Sequence, residues 1–252
     1  MAGHSHWAGI KHKKALVDAK RGKLWSKLSK AIIVAARTGG GDVEMNLRLR
    51  YAIDDAKAVS MPKDNIQRAI KKGTGEIDGG NLEEIVYEGY GAAGVAVLCE
   101  CLTDNRNRTA PEIRKAFELG NGKLGNTGCV AWMFDTKGLF LFDGSKVDED
   151  SLMEVALEAG ADDVASVSEG FEVTCDPSVF HDLDKAFNEA GLEPEMKKEM
   201  TRIPQNTVDI TDVNDARRIL KLMERLDDQD DVQSVSSNYN IPDEIMAQAE
   251  EE

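Results

Sequence analysis

The sequence predicts an α+β protein in which an N-terminal three-helix domain precedes two small α+β domains, one inserted in the other. Apolar residues recur at helical spacing between residues 24 and 73. Two apolar runs joined by a glycine turn follow, and further along the chain strands and helices succeed one another in the order of a ferredoxin-like domain. A length of 252 residues suits two or three domains of ordinary size.

The first domain is predicted to span residues 1–75, a basic arm followed by three helices. The glycine run at 39–41 ends the first helix, and Asp42 is expected to cap the second. Pro62 suits the first turn of the third helix, which Gly73 ends. The residues expected to face the core are Leu24, Leu28 and Ile32 in the first helix, Met45, Leu49, Ile53 and Ala56 in the second, and Ile66, Ala69 and Ile70 in the third.

The second domain is predicted to be discontinuous, with residues 76–130 and 205–252. Its first part contains a hairpin, "EEIVYEGYGAAGVAVLCECLTDN", and a helix, "RTAPEIRKAFELG". Its second part contains a strand, a helix and a strand in "NTVDI", "DVNDARRILKLMERLDD" and "VQSVSSNYNI". Residues 131–204 follow the order strand, helix, strand, strand, helix, strand. This order predicts a ferredoxin-like domain inserted in the second domain.

Charge is divided unevenly along the chain. Residues 1–75 contain 16 Lys and Arg against 6 Asp and Glu, a net charge of +10. Residues 76–252, the acidic body, have a net charge of −25, and the whole chain has a net charge of −15. A uniformly solvated surface has no reason to segregate charge in this way. The pattern favours a basic domain that meets a polyanion and an acidic body that discourages unspecific association. Nucleic acid is therefore the predicted partner class.

The candidate binding residues lie in the arm (residues 1–20), at the start of the first helix, and in one loop of the acidic body. Lysines are expected to neutralise phosphates, and the His and Trp rings to stack on unpaired bases. A solvated tail is the alternative for the arm, and a polar helix cap is the alternative for the arginines that precede the body helix. The candidates are His4, Ser5, His6, Trp7, Lys11, His12, Lys13, Lys14, Lys20, Arg21, Lys23, Lys27, Arg106 and Arg108.

Two glycine- and aromatic-rich motifs are predicted to serve structure and not catalysis. Gly89, Gly91 and Gly94 match the spacing G-x-G-x-x-G, but a strand follows them where a dinucleotide site needs a helix. They are therefore predicted to make a hairpin turn. The aromatic run at 132–134 is expected to pack in the core or between domains.

Metal binding is not predicted at any set of residues. Cys99 and Cys101 share a strand face, but no second pair with metal spacing accompanies them, so packed thiols are expected. His4, His6 and His12 lack a Cys or carboxylate in the arm that would complete a tetrahedral set. The sequence thus predicts a non-enzymatic protein with no catalytic residue, no cofactor and no metal.

The sequence also predicts a cytoplasmic protein without a membrane partner. No apolar run approaches the roughly 18 residues of a membrane span, and the beginning of the chain lacks the apolar core of a secretory signal. Four scattered cysteines are too few for a disulfide framework.

Five stretches resemble one known family. They are "MAGHSHWAGIKHKKALVDAKRGKLWSKL", "MPKDNIQRAIKKGTG", "YEGYG", "TDNRNRT" and "GCVAWMF". Together they resemble the YebC/PmpR family, whose mitochondrial relatives are translational activators of cytochrome c oxidase. The resemblance implies a helical domain and two α+β domains around an acidic cleft, with no catalytic residue or cofactor. The chain departs from the family pattern at His6, where Lys is expected, and at Ala92 and Ala93, where Pro and Gly are expected.

Two functions stay open at the level of sequence. In the first, a probable transcriptional regulator places a helix in a DNA groove while the arm contacts phosphates, and the acidic domains mediate homodimer or protein contacts. In the second, a ribosome-associated translation factor orders its arm on ribosomal or transfer RNA and relieves stalling. A metal-dependent hydrolase using His4, His6 and acidic residues is a third class that no further feature favours.

Overall fold

The computed structural model describes residues 21–78, 80–167, 170–194 and 197–250. Within these ranges it confirms the α+β class, with a helical N-terminal region followed by antiparallel sheets and their helices. None of the helices in the described ranges combines the length and apolar character that a membrane crossing requires.

The N-terminal region folds as three helices around one apolar cluster. They are α1 (Arg21–Gly39), α2 (Leu47–Ala58) and α3 (Lys63–Gly73), as the periodicity predicts. Ile32 of α1, Leu49 of α2 and Ile66 of α3 are among its buried residues. A glycine is needed at position 73, because a Cβ atom there would lie 2.5 Å from the Cβ atom of Ala36 on α1.

The start of α2 differs from the prediction. Asn46, and not Asp42, is its N-cap: the Asn46 side chain accepts a hydrogen bond from the Leu49 backbone at 3.1 Å and donates to the Ala35 and Gly40 carbonyls at 2.8 Å. Met45 therefore precedes the helix and is 83% exposed, so its predicted core position is wrong. The other predicted inward positions of α2, Leu49, Ile53 and Ala56, are buried.

The predicted hairpin and the helix after it are confirmed. Strands β1 (Glu83–Tyr90) and β2 (Ala96–Thr103) pair antiparallel, and α4 (Arg106–Leu119) and the short β3 (Lys123–Leu124) follow. Residues 91–95 connect the two strands, so Gly91 and Gly94 make the turn as predicted, whereas Gly89 lies within β1 opposite Val97.

The next segment has the predicted ferredoxin-like order. All neighbouring strands in its sheet are antiparallel, and the first and last strands of the segment lie side by side. The sheet order is β5-β6-β4-β7. The elements are β4 (Phe134–Asp143), α5 (Glu149–Glu158), β5 (Asp163–Val167), β6 (Gly170–Cys175), α6 (Phe180–Glu189) and β7 (Lys197–Pro204).

The final segment returns to the first sheet. Its elements are β8 (Val208–Asp209), α7 (Val213–Asp227), β9 (Val232–Ser237), β10 (Tyr239–Asn240) and α8 (Asp243–Glu250). Strand β9 pairs with β2, which gives the sheet order β3-β1-β2-β9, and β8 pairs with β10. Helices α4 and α7 bury Phe117 and Leu222 against this sheet. The turn from α7 to β9 is thereby held beside the first sheet.

Candidate nucleic-acid interface

The structure describes only part of the predicted binding set. Arg21 is the first residue of α1, Lys23 and Lys27 lie on the first turns of the same helix, and Arg106 and Arg108 begin α4. The other candidates lie outside the described residues: His4, Ser5, His6, Trp7, Lys11, His12, Lys13, Lys14 and Lys20.

Lys23 and Lys27 face an acidic segment of the body, the acidic turn (residues 227–231, sequence DDQDD). The amino group of Lys23 lies 3.5 Å from the Asp230 carboxylate and donates to the Asp228 carbonyl. The amino group of Lys27 lies 3.6 Å from the Asp227 carboxylate. Since the acidic turn begins at the last residue of α7, these lysines also lie at the carboxyl end of that helix, where the helix dipole favours cations.

Lys30 extends the same face of α1 by one turn. Its amino group donates to the Asp230 carbonyl at 2.9 Å and to the Asp231 carboxylate at 2.7 Å. The three α1 lysines therefore contact one stretch of the acidic body about 200 residues further along the chain.

Asp231 is the buried centre of this contact, with 3% of its surface exposed. Its carboxylate accepts hydrogen bonds from Lys30 at 2.7 Å, Arg108 at 2.8 Å, Thr109 at 2.7 Å and Thr103 at 3.1 Å. Burial acts to raise the pKa of the Asp231 carboxyl, but the hydrogen bonds from Lys30, Arg108 and Thr109 outweigh it and hold the pKa well below its ordinary value.

The two body arginines lie in the first turn of α4, and not in a loop before it as predicted. The helix begins earlier because the Asn105 side chain accepts from the backbone N–H groups of residues 107 and 108 and so acts as its N-cap. Cations are disfavoured at a helix N-terminus, and carboxylates offset this: Arg108 contacts Asp104 at 2.9 Å as well as Asp231, and Arg106 lies 3.6 Å from Glu83.

Helix α2 also places its cations beside carboxylates. Arg48 contacts Glu84 at 3.0 Å. Arg50 contacts Glu44 at 3.3 Å, and Lys57 contacts Asp54 at 2.9 Å. These pairs leave little uncompensated positive charge on α2.

Helix α3 is different. Lys63, Arg68 and Lys71 are exposed, and none of them makes an ion pair or a side-chain hydrogen bond within the described part of the chain. We call these three residues the α3 face. Ile66 and Ile70 of the same helix are buried in the N-terminal core, which fixes the orientation of α3.

The α3 face was missing from the binding residues predicted from the sequence. Its signal was nevertheless present, because the amphipathic pattern "MPKDNIQRAIKKG" places Lys and Arg outward. What the pattern does not reveal is which cations have carboxylate partners elsewhere in the fold.

The aromatic run at 132–134 divides between core and surface. Phe134 is buried and Met133 packs against the same cluster, as predicted. Trp132 is 66% exposed, so the packing prediction is wrong for it. A hydrogen bond holds it there: the indole N–H donates to the Cys129 carbonyl at 3.2 Å, and the Tyr90 hydroxyl donates to the same oxygen at 3.1 Å.

Cys99 and Cys101 are packed thiols, as predicted. Both are buried in the core of the first sheet, with their sulfur atoms 3.8 Å apart. Among the described residues, no group of three or more His, Cys, Asp or Glu side chains is arranged to hold a metal ion.

Two family models match this chain. The "TACO1/YebC protein N-terminal domain" matches residues 5–76, and the "TACO1/YebC second and third domain" matches residues 82–239. The chain belongs to the TACO1/YebC family. This confirms the resemblance found in the sequence, and it places most of the arm within the N-terminal domain of the family.

Relatives in the TACO1/YebC family match this chain over almost its whole length. The probable transcriptional regulatory protein RB5500 of Rhodopirellula baltica is 58% identical over 98% of this chain and 100% of the relative. The probable transcriptional regulatory protein GSU1074 of Geobacter sulfurreducens is 56% identical over 98% of both chains.

A solved structure shares the TACO1/YebC fold of this chain. It is the crystal structure of a conserved hypothetical protein, Aq1575, from Aquifex aeolicus. The two chains are 46% identical and align with a TM-score of 0.86 over 94% of this chain and 98% of the other.

Proposed function

We propose that this TACO1/YebC protein regulates gene expression by binding DNA, without catalysis, and that the N-terminal domain is the binding part. The relatives named as probable transcriptional regulatory proteins support a regulatory role. The balance of +10 in residues 1–75, on a chain of −15, supports a polyanionic partner.

The α3 face carries this proposal. Most basic side chains of α1 and α2 described above are balanced by carboxylates, whereas Lys63, Arg68 and Lys71 are not. An exposed cation without a carboxylate partner gains most from a phosphate, because binding then releases counterions from the nucleic acid and breaks no ion pair in the protein. The rigid helix fixes the spacing of the three side chains, and the arm is proposed to add contacts from residues 1–20.

The test is a DNA-binding titration at several salt concentrations, read by fluorescence anisotropy of a labelled duplex. Replacing Lys63, Arg68 and Lys71 together with Ala is expected to weaken binding and to reduce the slope of log K against log salt by about 0.9 for each lost phosphate contact. The matched control replaces Arg114, Lys115 and Lys123, three exposed cations of the acidic body, and changes the net charge equally.

Two results would contradict the proposal. One is an unchanged slope in the α3 variant. The other is an equal loss in the control, which would assign the effect to net charge alone. Competition between promoter and scrambled duplexes then separates a regulator with sequence preference from an unspecific binder.

A second candidate function is binding to ribosomal or transfer RNA as a translation factor. The small size of the α3 face favours it, since the three exposed cations of this 11-residue helix present a short basic surface beside an acidic body whose net charge is −25. An irregular RNA surface can meet such a face more easily than an extended duplex. Stronger binding to structured RNA than to any duplex in the same titration, together with co-sedimentation with ribosomes, would support this candidate.

A further inference from the structure

The contact between α1 and the acidic turn joins two strongly charged segments. Four of the five residues of the turn are Asp, and the α1 lysines at positions 23, 27 and 30 are spaced to lie on one helix face. The turn covers this face: the side chain of Lys27 is only 12% exposed and that of Lys23 is 30% exposed. Two cations of the basic domain are thus shielded from an external polyanion.

The carboxylates of the turn differ in how firmly they are held. Asp231 is fixed by its threonine and arginine donors, so Lys30 rests on a rigid partner. The other three carboxylates that face α1 are open to solvent: the side chains of Asp227, Asp228 and Asp230 are 40%, 44% and 77% exposed. Because the carboxylate side of each pair is open to water, solvent and salt weaken its attraction to the lysine, and another anion can compete with it for that lysine.

We propose that Lys23 and Lys27 form a second phosphate-binding surface, and that the acidic turn is an internal competitor that covers it until nucleic acid displaces it. The inference rests on the function proposed above and adds a regulation to it. A lysine ammonium can donate to a carboxylate or to a phosphate without a strong geometric preference. The exchange of carboxylate for phosphate therefore needs no refolding of α1. Lys30 stays on Asp231, so the turn remains attached at residue 231 while residues 227–230 move away from Lys23 and Lys27.

The competitor also has a thermodynamic consequence. Nucleic acid that binds Lys23 and Lys27 must first break their contacts with the turn, so the apparent affinity of the intact chain is lower than that of a chain with a neutral turn. The salt dependence is lower for the same reason, because lysines already paired with carboxylates contribute less to the release of counterions from the nucleic acid.

The test compares nucleic-acid binding by the full-length chain with a neutral-turn variant, Asp227→Asn, Asp228→Asn and Asp230→Asn. Asp231 is left unchanged because it is buried. The control variant, Glu112→Gln, Glu118→Gln and Glu154→Gln, removes three exposed carboxylates from other helices and changes the net charge equally. We expect the neutral-turn variant to bind about tenfold more tightly at low salt, with a slope steeper by about 0.7 to 0.9 for each of the two lysines, and the control to match the wild type.

A third variant adds Lys23→Ala and Lys27→Ala to the neutral-turn variant. We expect it to lose the gain in affinity. A gain in affinity that persists without these lysines, or that appears equally in the control, overturns the proposal that the turn is a competitor. Equal or weaker binding by the neutral-turn variant also overturns it and makes the turn a structural contact, while the proposed function stands as long as the wild type binds. Absence of binding in every variant overturns both. Thermal unfolding of each variant verifies that it is folded.

Discussion

At the scale of single residues, Asp231 connects the N-terminal domain with the acidic body through donors from both. Lys30 comes from α1, whereas Arg108, Thr103 and Thr109 come from the first sheet and its helix. Because the pKa of Asp231 is lowered in the fold, its contribution to stability is full above the ordinary carboxyl value of about 3.9 and falls as the pH drops below it. The connection between the two parts is therefore an acid-sensitive one.

Glu172 is the opposite case, a buried carboxyl without a compensating cation. It is 5% exposed on β6, where the strand register sets it beside Leu141 and Ala165, and its Oε2 atom has no hydrogen-bond partner among the described residues. Burial, and then the charge of Asp163, raises its pKa to about 7. The protonated form is therefore the one that the fold favours.

We predict that Glu172→Gln stabilises the protein at alkaline pH. With a raised folded pKa, the stability contribution of Glu172 is full below about 4.3, the ordinary value in the unfolded chain, and is lost as the pH rises through about 7. The variant should gain about 2 kcal/mol over the wild type at pH 8 and little at pH 5, measured by urea unfolding. The exposed Glu154→Gln is the control. Equal stability of Glu172→Gln and wild type at both pH values would show that Glu172 ionises without cost.

At the scale of elements, the apolar pattern predicts the three N-terminal helices, the hairpin with its helix and the ferredoxin-like segment. It does not predict β3 or α8, and the single strand predicted over "VQSVSSNYNI" is divided into β9 and β10, which lie in different sheets. The apolar pattern did not predict where α2 begins. Asn46 caps the helix while bonding to Ala35 and Gly40, and this choice over Asp42 depends on how α1 ends and packs beside it. The exposed position of Trp132 has a similar origin, because the carbonyl that holds it belongs to a turn whose shape the sequence pattern does not specify.

The packing of α3 on α1 gives a prediction at this scale. Gly73→Ala would place a Cβ atom 2.5 Å from both the Ala36 Cβ atom and the Ile33 carbonyl oxygen, so the helices must separate. We expect a loss of about 1 to 3 kcal/mol in the free energy of unfolding, measured with denaturant. The control is Gly22→Ala on α1, where nothing lies within 4 Å and the higher helix propensity of Ala should be neutral or slightly stabilising. Similar values for the two variants would show that α1 and α3 are not closely packed.

At the scale of the whole molecule, counting charges along the sequence identifies the basic domain but not how its cations are used. Lys27 and Lys63 are both Lys in predicted helices, and the local sequence pattern does not distinguish them. The difference comes from the tertiary fold, which returns the chain to the first sheet through β9 and so brings the acidic turn against α1. The contact joins residues about 200 positions apart, a separation at which no local pattern operates.

This division of cations predicts different chemical reactivity for lysines of one domain. At low salt Lys27, covered by the acidic turn, should react with an amine-specific acylating reagent several-fold more slowly than the exposed Lys71, as measured by peptide mass spectrometry. At 1 M salt, where the screening length falls to about 3 Å, the ion pairs between the turn and α1 weaken and the difference in reactivity should narrow. In the neutral-turn variant the difference between the reaction rates of Lys27 and Lys71 should already be smaller at low salt, with no nucleic acid present. Equal reactivity of Lys27 and Lys71 in the wild type at low salt would mean that the turn does not cover α1 in solution.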